Sequence, residues 1–161
     1  YSFGKLIYKN REFKVTLGKG GVVLNKTEGD SATPAGCFPI REIYYRADRL
    51  DKIKTVVPVR ELMPDDGWCD DSKDSNYNKH VKLPYTASAE NLWREDNIYD
   101  IIVVLGYNDD PVVPGRGSAI FMHMARSDYS TTNGCIALAL NDILEVIMKI
   151  NNDTKVCVLK F

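Results

Sequence analysis

The stretch from Gly117 to Leu140 concentrates the residues able to do covalent chemistry. It holds His123, one of two histidines in the chain, and the pair Gly134-Cys135. A cysteine thiol ordinarily titrates near pH ~8.5, so at neutral pH it needs a neighbouring base or cation to become a nucleophilic thiolate. His123 is the base nearest in sequence. Gly134 adds a second part, because a residue without Cβ lets backbone approach a ligand and tolerates positive φ. The N–H groups of Gly134 and Cys135 are then candidates for an oxyanion hole. Taken singly, the cysteine reads more readily as a small buried hydrophobe and the histidine as a hydrogen-bonded structural residue. Their joint setting points to a cysteine nucleophile served by a histidine base.

The elements that must position them follow from periodicity. Residues 118–124 are mostly apolar with a β-branched or aromatic centre and predict a strand ending near His123. The polar run Arg126 to Asn133 predicts a loop that returns the chain to the same sheet end, where Cys135 opens the next strand. Beyond it Ile136, Leu138 and Leu140 fall on one face, whereas Ala137 and Ala139 share the other with Cys135. The large face suits a core, and the small face leaves room for a substrate.

Upstream, Lys5 to Tyr8, Glu12 to Leu17 and Val22 to Asn25 predict short strands, broken at Asn10-Arg11 and at Gly18 to Gly21. That glycine cluster lacks the Gly-Lys-Ser/Thr ending and the following helix of a phosphate loop. Cys37 to Tyr45 and Thr55 to Arg60 read as extended, with Pro39 and Pro58 marking edges or bulges. Tyr99 to Gly106 is a continuous apolar run, the expected central strand buried on both faces. Tyr107 to Gly117 is a loop. Asn141 is the expected cap of a helix with Asp142 in its first turn and an apolar face of Ile143, Val146, Ile147 and Ile150, and Lys155 to Phe161 closes the sheet.

Residues 62–98 form a long excursion, a candidate cap over the site, with a short helical turn expected near Ala89 to Arg94. Its aspartates, Asp65, Asp66, Asp70 and Asp71, read as a solvated acidic turn, since the ligand alternation of a calcium loop is missing. Trp68, Tyr77, Tyr85 and Trp93 either line a groove or anchor the excursion. The whole, residues 1–161, reads as one domain, mainly β with one or two helices.

Composition narrows the function classes. A net charge of −1 and the lack of a basic cluster give no support to nucleic-acid binding. No apolar run reaches the length of a membrane span, and no secretory leader is expected within a sequence that starts at Tyr1. The cysteines at 37, 69, 135 and 157 lack metal-ligand spacing, so neither a metal nor a cofactor is expected. With Cys135 kept as a free thiol, Cys37 and Cys69 are in surroundings that allow pairing, and Cys157 reads as a core residue of an apolar strand.

Phe121-Met122-His123 followed by Thr132-Asn133-Gly134-Cys135-Ile136 resembles the active-site signature of the L,D-transpeptidase (YkuD-like) catalytic domain. Gly18-Lys19 with Thr33-Pro34-Ala35-Gly36-Cys37-Phe38 resembles the family's upstream segment, and the wording Gly106 to Asp109 and Gly117 to Phe121 is similar to a small proteobacterial branch. The resemblance spans about residues 12–159. Asn133 stands where most of the family has histidine, and Ala137 where most have arginine or asparagine. The resemblance implies a β-sandwich-like fold, a periplasmic or cell-envelope location, and peptidoglycan stem peptides as partners. It further implies attack by Cys135 at meso-diaminopimelate of one stem, loss of D-Ala, and transfer of the acyl group to a second stem. His123 is then the base, with the Met124 carbonyl orienting it and Asn133 beside the oxyanion site. Arg126, and at lower rank Tyr107, Asn108, Arg116 and Thr132, are candidates for substrate binding. Two alternatives stay open: hydrolysis of stem peptides or cross-links by the same cysteine, and a wall-binding domain without catalysis.

Overall fold

The Lys9-Asn10 turn fixes the first hairpin. Both residues hold positive φ, 46° and 64°, the backbone of a two-residue turn whose twist matches its strands. It joins β1 (Phe3–Tyr8) to β2 (Arg11–Thr16) with Tyr8 opposite Arg11. The computed structural model describes residues 2–160. After the hairpin come β3 (Val22–Val23), β4 (Thr33–Pro34), β5 (Gly36–Tyr45), β6 (Val59–Glu61), β7 (Asp66–Cys69), β8 (His80–Lys82) and β9 (Ala89–Asn91). A 3₁₀ turn at Asn97–Tyr99 precedes β10 (Ile101–Leu105), β11 (Phe121–Met124), β12 (Ile136–Leu138), helix α1 (Leu140–Ile147) and β13 (Lys155–Val158). The protein is thus mainly β with one α-helix.

Its main sheet runs β1-β2-β12-β11-β10-β5-β13, with β6 added beside β5. The apolar run of β10 is explained by what covers it. Ile101, Val103 and Leu105 pack in one cluster with Ile143, Val146 and Ile147 of α1, while Ile102 and Val104 pack in a second with Trp68, Leu92, Tyr99, Phe121 and Cys135. Each such side chain taken out of water contributes about 1.5–3 kcal/mol. Helix α1 starts at Leu140, one residue before the expected cap. Ala139, directly after β12, is the N-cap and has no polar side chain to bond, while its carbonyl accepts from Ile143 N–H at 3.0 Å. Thr55 Oγ1 and Tyr8 Oη donate to the carbonyls of Ile147 and Lys149, satisfying the end of the helix.

The excursion is ordered, and it is not a loop. Strands β8-β7-β9 form a separate antiparallel sheet, and the expected helical turn near Ala89 is the strand β9, paired to β7 along its length. Cross-strand pairing there overrides a weak local helix preference. Asp66 is likewise fully buried, not solvated. It accepts from Met63 N–H and faces His80 at 2.7 Å and Lys82 at 2.9 Å, so its charge is matched on several sides. Trp68 and Tyr77 are buried anchors, Trp93 lies under the Arg46 guanidinium at 3.5 Å, and Tyr85 bonds Asp74 and Asn76. The anchoring reading of these aromatics is the one the packing supports.

The disulfide also differs from the sequence expectation. Cys37 bonds Cys157, its directly opposite partner in the antiparallel pair β5/β13, and both lie on the exposed face of that pair. Cys69 is fully buried in β7, in another sheet. Pairing of strands, invisible in local composition, decides which thiols meet. The bridge spans a sequence separation of 120 residues, so its loss releases much unfolded-chain entropy. Replacing both cysteines by serine is expected to lower unfolding free energy by roughly 2–5 kcal/mol, read from urea denaturation. An unchanged midpoint would remove the bridge from the stability argument.

Candidate active site

Strands β11 and β12 run parallel with His123 opposite Ala137. Side chains two residues apart on a strand share a face, so Cys135, two before Ala137, lies diagonal to His123 on the face that also carries Phe121. Ala137 presents only a methyl between them. The upstream motif supports this sheet end directly. Gly18 bridges Thr132, with Lys19 N–H donating to Thr132 O at 2.9 Å and Thr132 N–H to Leu17 O at 3.0 Å. Thr33 Oγ1 accepts from Gly18 N–H at 2.9 Å. A Cβ on Gly18 would stand 2.3 Å from Ser31 O and 3.0 Å from Gly134 Cα, so only glycine lets the two segments touch.

The Cys135 thiol donates to the carbonyl of Ala119 at 3.2 Å. Burial, and then the charge of Glu90, push its pKa up to about 12. His123 is 5% exposed, and burial holds its pKa down to about 4. Its Nδ1 lies 2.9 Å from Met124 O. A carbonyl only accepts, so Nδ1 carries the proton and Nε2 is the nitrogen with a free lone pair. The resting site is therefore a neutral thiol and a neutral imidazole. Tyr99 lies edge-on to the imidazole with ring centroids 5.3 Å apart, and its hydroxyl donates to Glu90 Oε1 at 2.6 Å.

A cleft of about 520 Å³ opens over this face, and His123, Met124, Arg126, Thr132, Asn133 and Cys135 all line it. Its walls are polar and of both signs. Glu28, Asp70 and Glu90 face it, as do Lys26, Arg94 and Arg126. Arg126 is half exposed, with Nη2 3.3 Å from the Asp96 carboxylate that Arg94 holds through Nε and Nη2 at 2.7 and 2.8 Å.

Several candidates sit elsewhere. Tyr107 packs its ring against Phe38 at 5.4 Å, and its hydroxyl donates to the carbonyl of Arg116, so neither residue is among the cleft lining. Asn108 organises its own loop, donating to the carbonyls of Val113 and Gly117. Gly134 holds φ +131° and donates its N–H to Thr132 Oγ1 at 3.1 Å, so in this resting arrangement that N–H already has a partner. The Thr132 hydroxyl in turn donates to Cys135 O at 2.6 Å, and Thr132 itself lines the cleft.

Sequence reasoning missed Lys26, Glu90, Tyr99 and Asn78. Asn78 is buried, and its Oδ1 accepts from Trp68 Nε1 and from Ala119 N–H, both at 3.0 Å. It thereby holds Ala119 at φ +53°, a conformation costly for a residue with Cβ, which aims the carbonyl at the thiol. An Asn in a polar run gives no signal of this. Lys26 was findable as a cation between the two halves of the upstream motif.

The family model described as the L,D-transpeptidase catalytic domain (YkuD) matches residues 4–158. No curated protein and no solved structure matches the chain.

Two pH responses follow from the neutral pair. Alkylation of Cys135 by iodoacetamide, followed by peptide mapping, is expected to accelerate about tenfold per pH unit from pH 7 to 9.5 without levelling, as thiolate fraction does far below the pKa. A plateau below pH 9 would mean an activated resting thiol. For His123 the folded pKa lies below the ordinary value near 6.5. The unfolded chain then binds a proton that the folded one refuses, so this stability is present above about pH 6.5 and is lost as pH falls toward 4. The loss is on the order of 3 kcal/mol at 1.36 kcal/mol per pKa unit, and a His123→Gln variant is expected to lack it in acid-denaturation curves. Parallel curves for both proteins would refute the assignment.

Proposed function

Because the chain belongs to the L,D-transpeptidase catalytic domain family, we propose that it is a peptidoglycan L,D-transpeptidase in which Cys135 is the nucleophile and His123 the base. The observation that carries this reading is the placement of a free thiol and a buried imidazole with an unprotonated Nε2 on one sheet face, under one cleft.

The step begins from neutral partners. As Sγ bonds to the carbonyl carbon that follows the L-centre of diaminopimelate, the thiol proton passes to Nε2 of His123, and the carbonyl π pair moves to oxygen. The Met124 carbonyl, bound to Nδ1–H, favours the imidazolium that forms. Collapse of the tetrahedral species breaks the C–N bond, Nε2 returns its proton to the leaving D-Ala amine, and a thioester remains on Cys135. An amine of a second stem attacks that thioester, again with His123 taking a proton, and the cross-link forms.

The cleft lining supports a substrate of this kind. A diaminopimelate-bearing stem carries ammonium and carboxylate groups, and the lining offers carboxylates, Glu90 and Asp70, and guanidinium groups, Arg94 and Arg126, to meet them. Arg126 can exchange Asp96 for a stem carboxylate, since their contact is a single 3.3 Å approach on a half-exposed side chain. Ala137 opposite His123 leaves space where a longer side chain would intrude. The Cys37–Cys157 bridge supports an oxidising compartment, the periplasm or cell envelope.

The test is mass spectrometry of products after mixing the protein with a diaminopimelate-containing disaccharide tetrapeptide. A cross-linked dimer lacking one D-Ala is expected, and Cys135→Ala is expected to abolish it while the unfolding transition stays within about 1 kcal/mol of wild type. Tripeptide alone would mean that water resolves the thioester and the enzyme is a hydrolase. Turnover retained by Cys135→Ala would sink the nucleophile assignment.

A further inference from the structure

Lys26 is the most deeply buried cation at the site, 3% exposed, and its stem is threaded between two glycines. A Cβ on Gly117, which holds φ +101°, would stand 2.7 Å from Lys26 Cε, and a Cβ on Gly134 would stand 3.5 Å from Lys26 Nζ. A larger residue at 117 would crowd the lysine, and at 134 the ammonium lies at ordinary van der Waals distance from where a Cβ would stand. Its ammonium is thus held against the backbone that precedes the nucleophile, and it lines the same cleft.

An ammonium has three N–H donors. Among the described residues its hydrogen-bond partner is Asp30 Oδ1 at 2.6 Å, and Asp30 is itself fixed by accepting from the N–H groups of Thr27 and Ala32, each at 2.8 Å. Burying a cation costs several kcal/mol unless it is well paired. A surface lysine would order the Thr27 to Ala32 turn equally well, so turn formation alone does not account for a buried charge beside Gly134. Meanwhile the Gly134 N–H, one of the two donors expected for an oxyanion beside that of Cys135, is engaged by Thr132 Oγ1. Lys26 is also the cation whose field favours the ionised form of Cys135, against the opposing field of Glu90.

We propose that Lys26 is a further catalytic residue, whose ammonium donates a hydrogen bond to the oxyanion formed when Cys135 attacks a carbonyl, in the place that the Gly134 N–H does not fill. The inference rests on the reading of Cys135 as the nucleophile. The balance is simple. Sγ–C forms, the thiol proton goes to His123, and the π pair goes to the carbonyl oxygen, where Lys26 N–H meets it without transferring its proton. On collapse the pair returns to the carbonyl and the leaving group departs.

Two thiol reagents separate this role from a structural one. p-Nitrophenyl acetate acylates Cys135 through a tetrahedral oxyanion, whereas iodoacetamide alkylates it by direct displacement with no oxyanion. A change in thiol ionisation alters both rates by the same factor, and a lost oxyanion donor alters only the first. In Lys26→Met the ratio of acylation to alkylation rate is expected to fall about 100-fold, the scale of one lost oxyanion donor. Lys26→Gln serves if the methionine variant does not fold: its uncharged amide, one atom shorter than the lysine side chain, keeps a donor and is expected to lower the ratio by less than the methionine does. Equal losses with both reagents, or no change in the ratio, would overturn the proposal. A wild-type Cys135 inert to both reagents would overturn it together with the nucleophile assignment. Ester acylation that depends on Lys26, in a protein that does not process stem peptides, would uphold the role of Lys26 and reject the peptidoglycan reading.

Discussion

Central strands that are apolar on both faces must be covered twice, and the organisation of this protein follows from that requirement. In β10 every residue is buried, with alternate side chains entering different cores. One cover is α1, held against the first hairpin by the Arg11–Glu145 pair and by Tyr8 Oη donating to Lys149 O just past its end, with Thr55 Oγ1, before β6, donating to Ile147 O. The other cover is the β8-β7-β9 sheet, which brings Trp68 and Leu92 onto Ile102, Val104 and Phe121. The cleft is lined by Asp70 and Glu90 of that cover together with His123 and Cys135 at the ends of β11 and β12, and the small side chain of Ala137 there leaves the sheet surface open.

That outer layer also fixes the atoms of the site. Asn78 joins it to the loop before β11 through bonds at both ends of one amide: Oδ1 accepts from Trp68 and Ala119, and Nδ2 donates to the carbonyls of Tyr107 and Asn108. Each bond is worth about 1 kcal/mol net, but leaving a buried partner unmet costs about 1–3 kcal/mol. The amide therefore over-determines the backbone around it. That is the condition under which a residue such as Ala119 keeps positive φ. Glu28 adds a second tie, accepting from Tyr77 of the excursion and from Ser118 Oγ. Both ties converge on the turn whose carbonyl accepts the hydrogen bond of the Cys135 thiol. The excursion positions Cys135 as well as covering a core.

The sequence made the sheet-end geometry legible because periodicity speaks directly about faces. The alternation after Cys135, with Ile136 and Leu138 on one side and Ala137 on the other, is the division found between the two cores, and the apolar run of β10 announced burial on both sides. What escaped depends on pairing between distant segments. Nothing near Cys37 indicates that Cys157 is its cross-strand neighbour, and nothing near Ala89 indicates that β7 will capture it as a strand. Asp66 looked solvated because its partners, Lys82 and His80, come from the returning strand β8. Tyr107 and Arg116 looked like rim residues because they flank a loop close in sequence to His123. The side chain of Tyr107 instead turns into the core beside Phe38. Local pattern fixes which face a residue takes within its strand, and only tertiary pairing fixes what that face meets.

A thiol held protonated by burial looks at first ill suited to the nucleophilic role proposed for Cys135. The disulfide shows why it is not. Cys37 and Cys157 are exposed and oxidised, and Cys135 remains a free thiol in the same chain. Disulfide exchange and oxidation proceed through the thiolate, so a thiol whose pKa is pushed to about 12 and whose S–H is given to Ala119 O presents very little of the reactive species. The same neutral state suits His123, whose Nε2 stays unprotonated down to about pH 4 and so is ready to accept a proton. On the proposed mechanism, ionisation is then deferred until a carbonyl is in place and the negative charge can move from sulfur to oxygen. The groups that would favour that moment are already arranged: the Met124 carbonyl at Nδ1–H, which supports an imidazolium, and a buried cation beside Gly134. Burial thus lowers reactivity toward adventitious oxidants, while the proposed proton acceptor and the cation line the same cleft as the thiol.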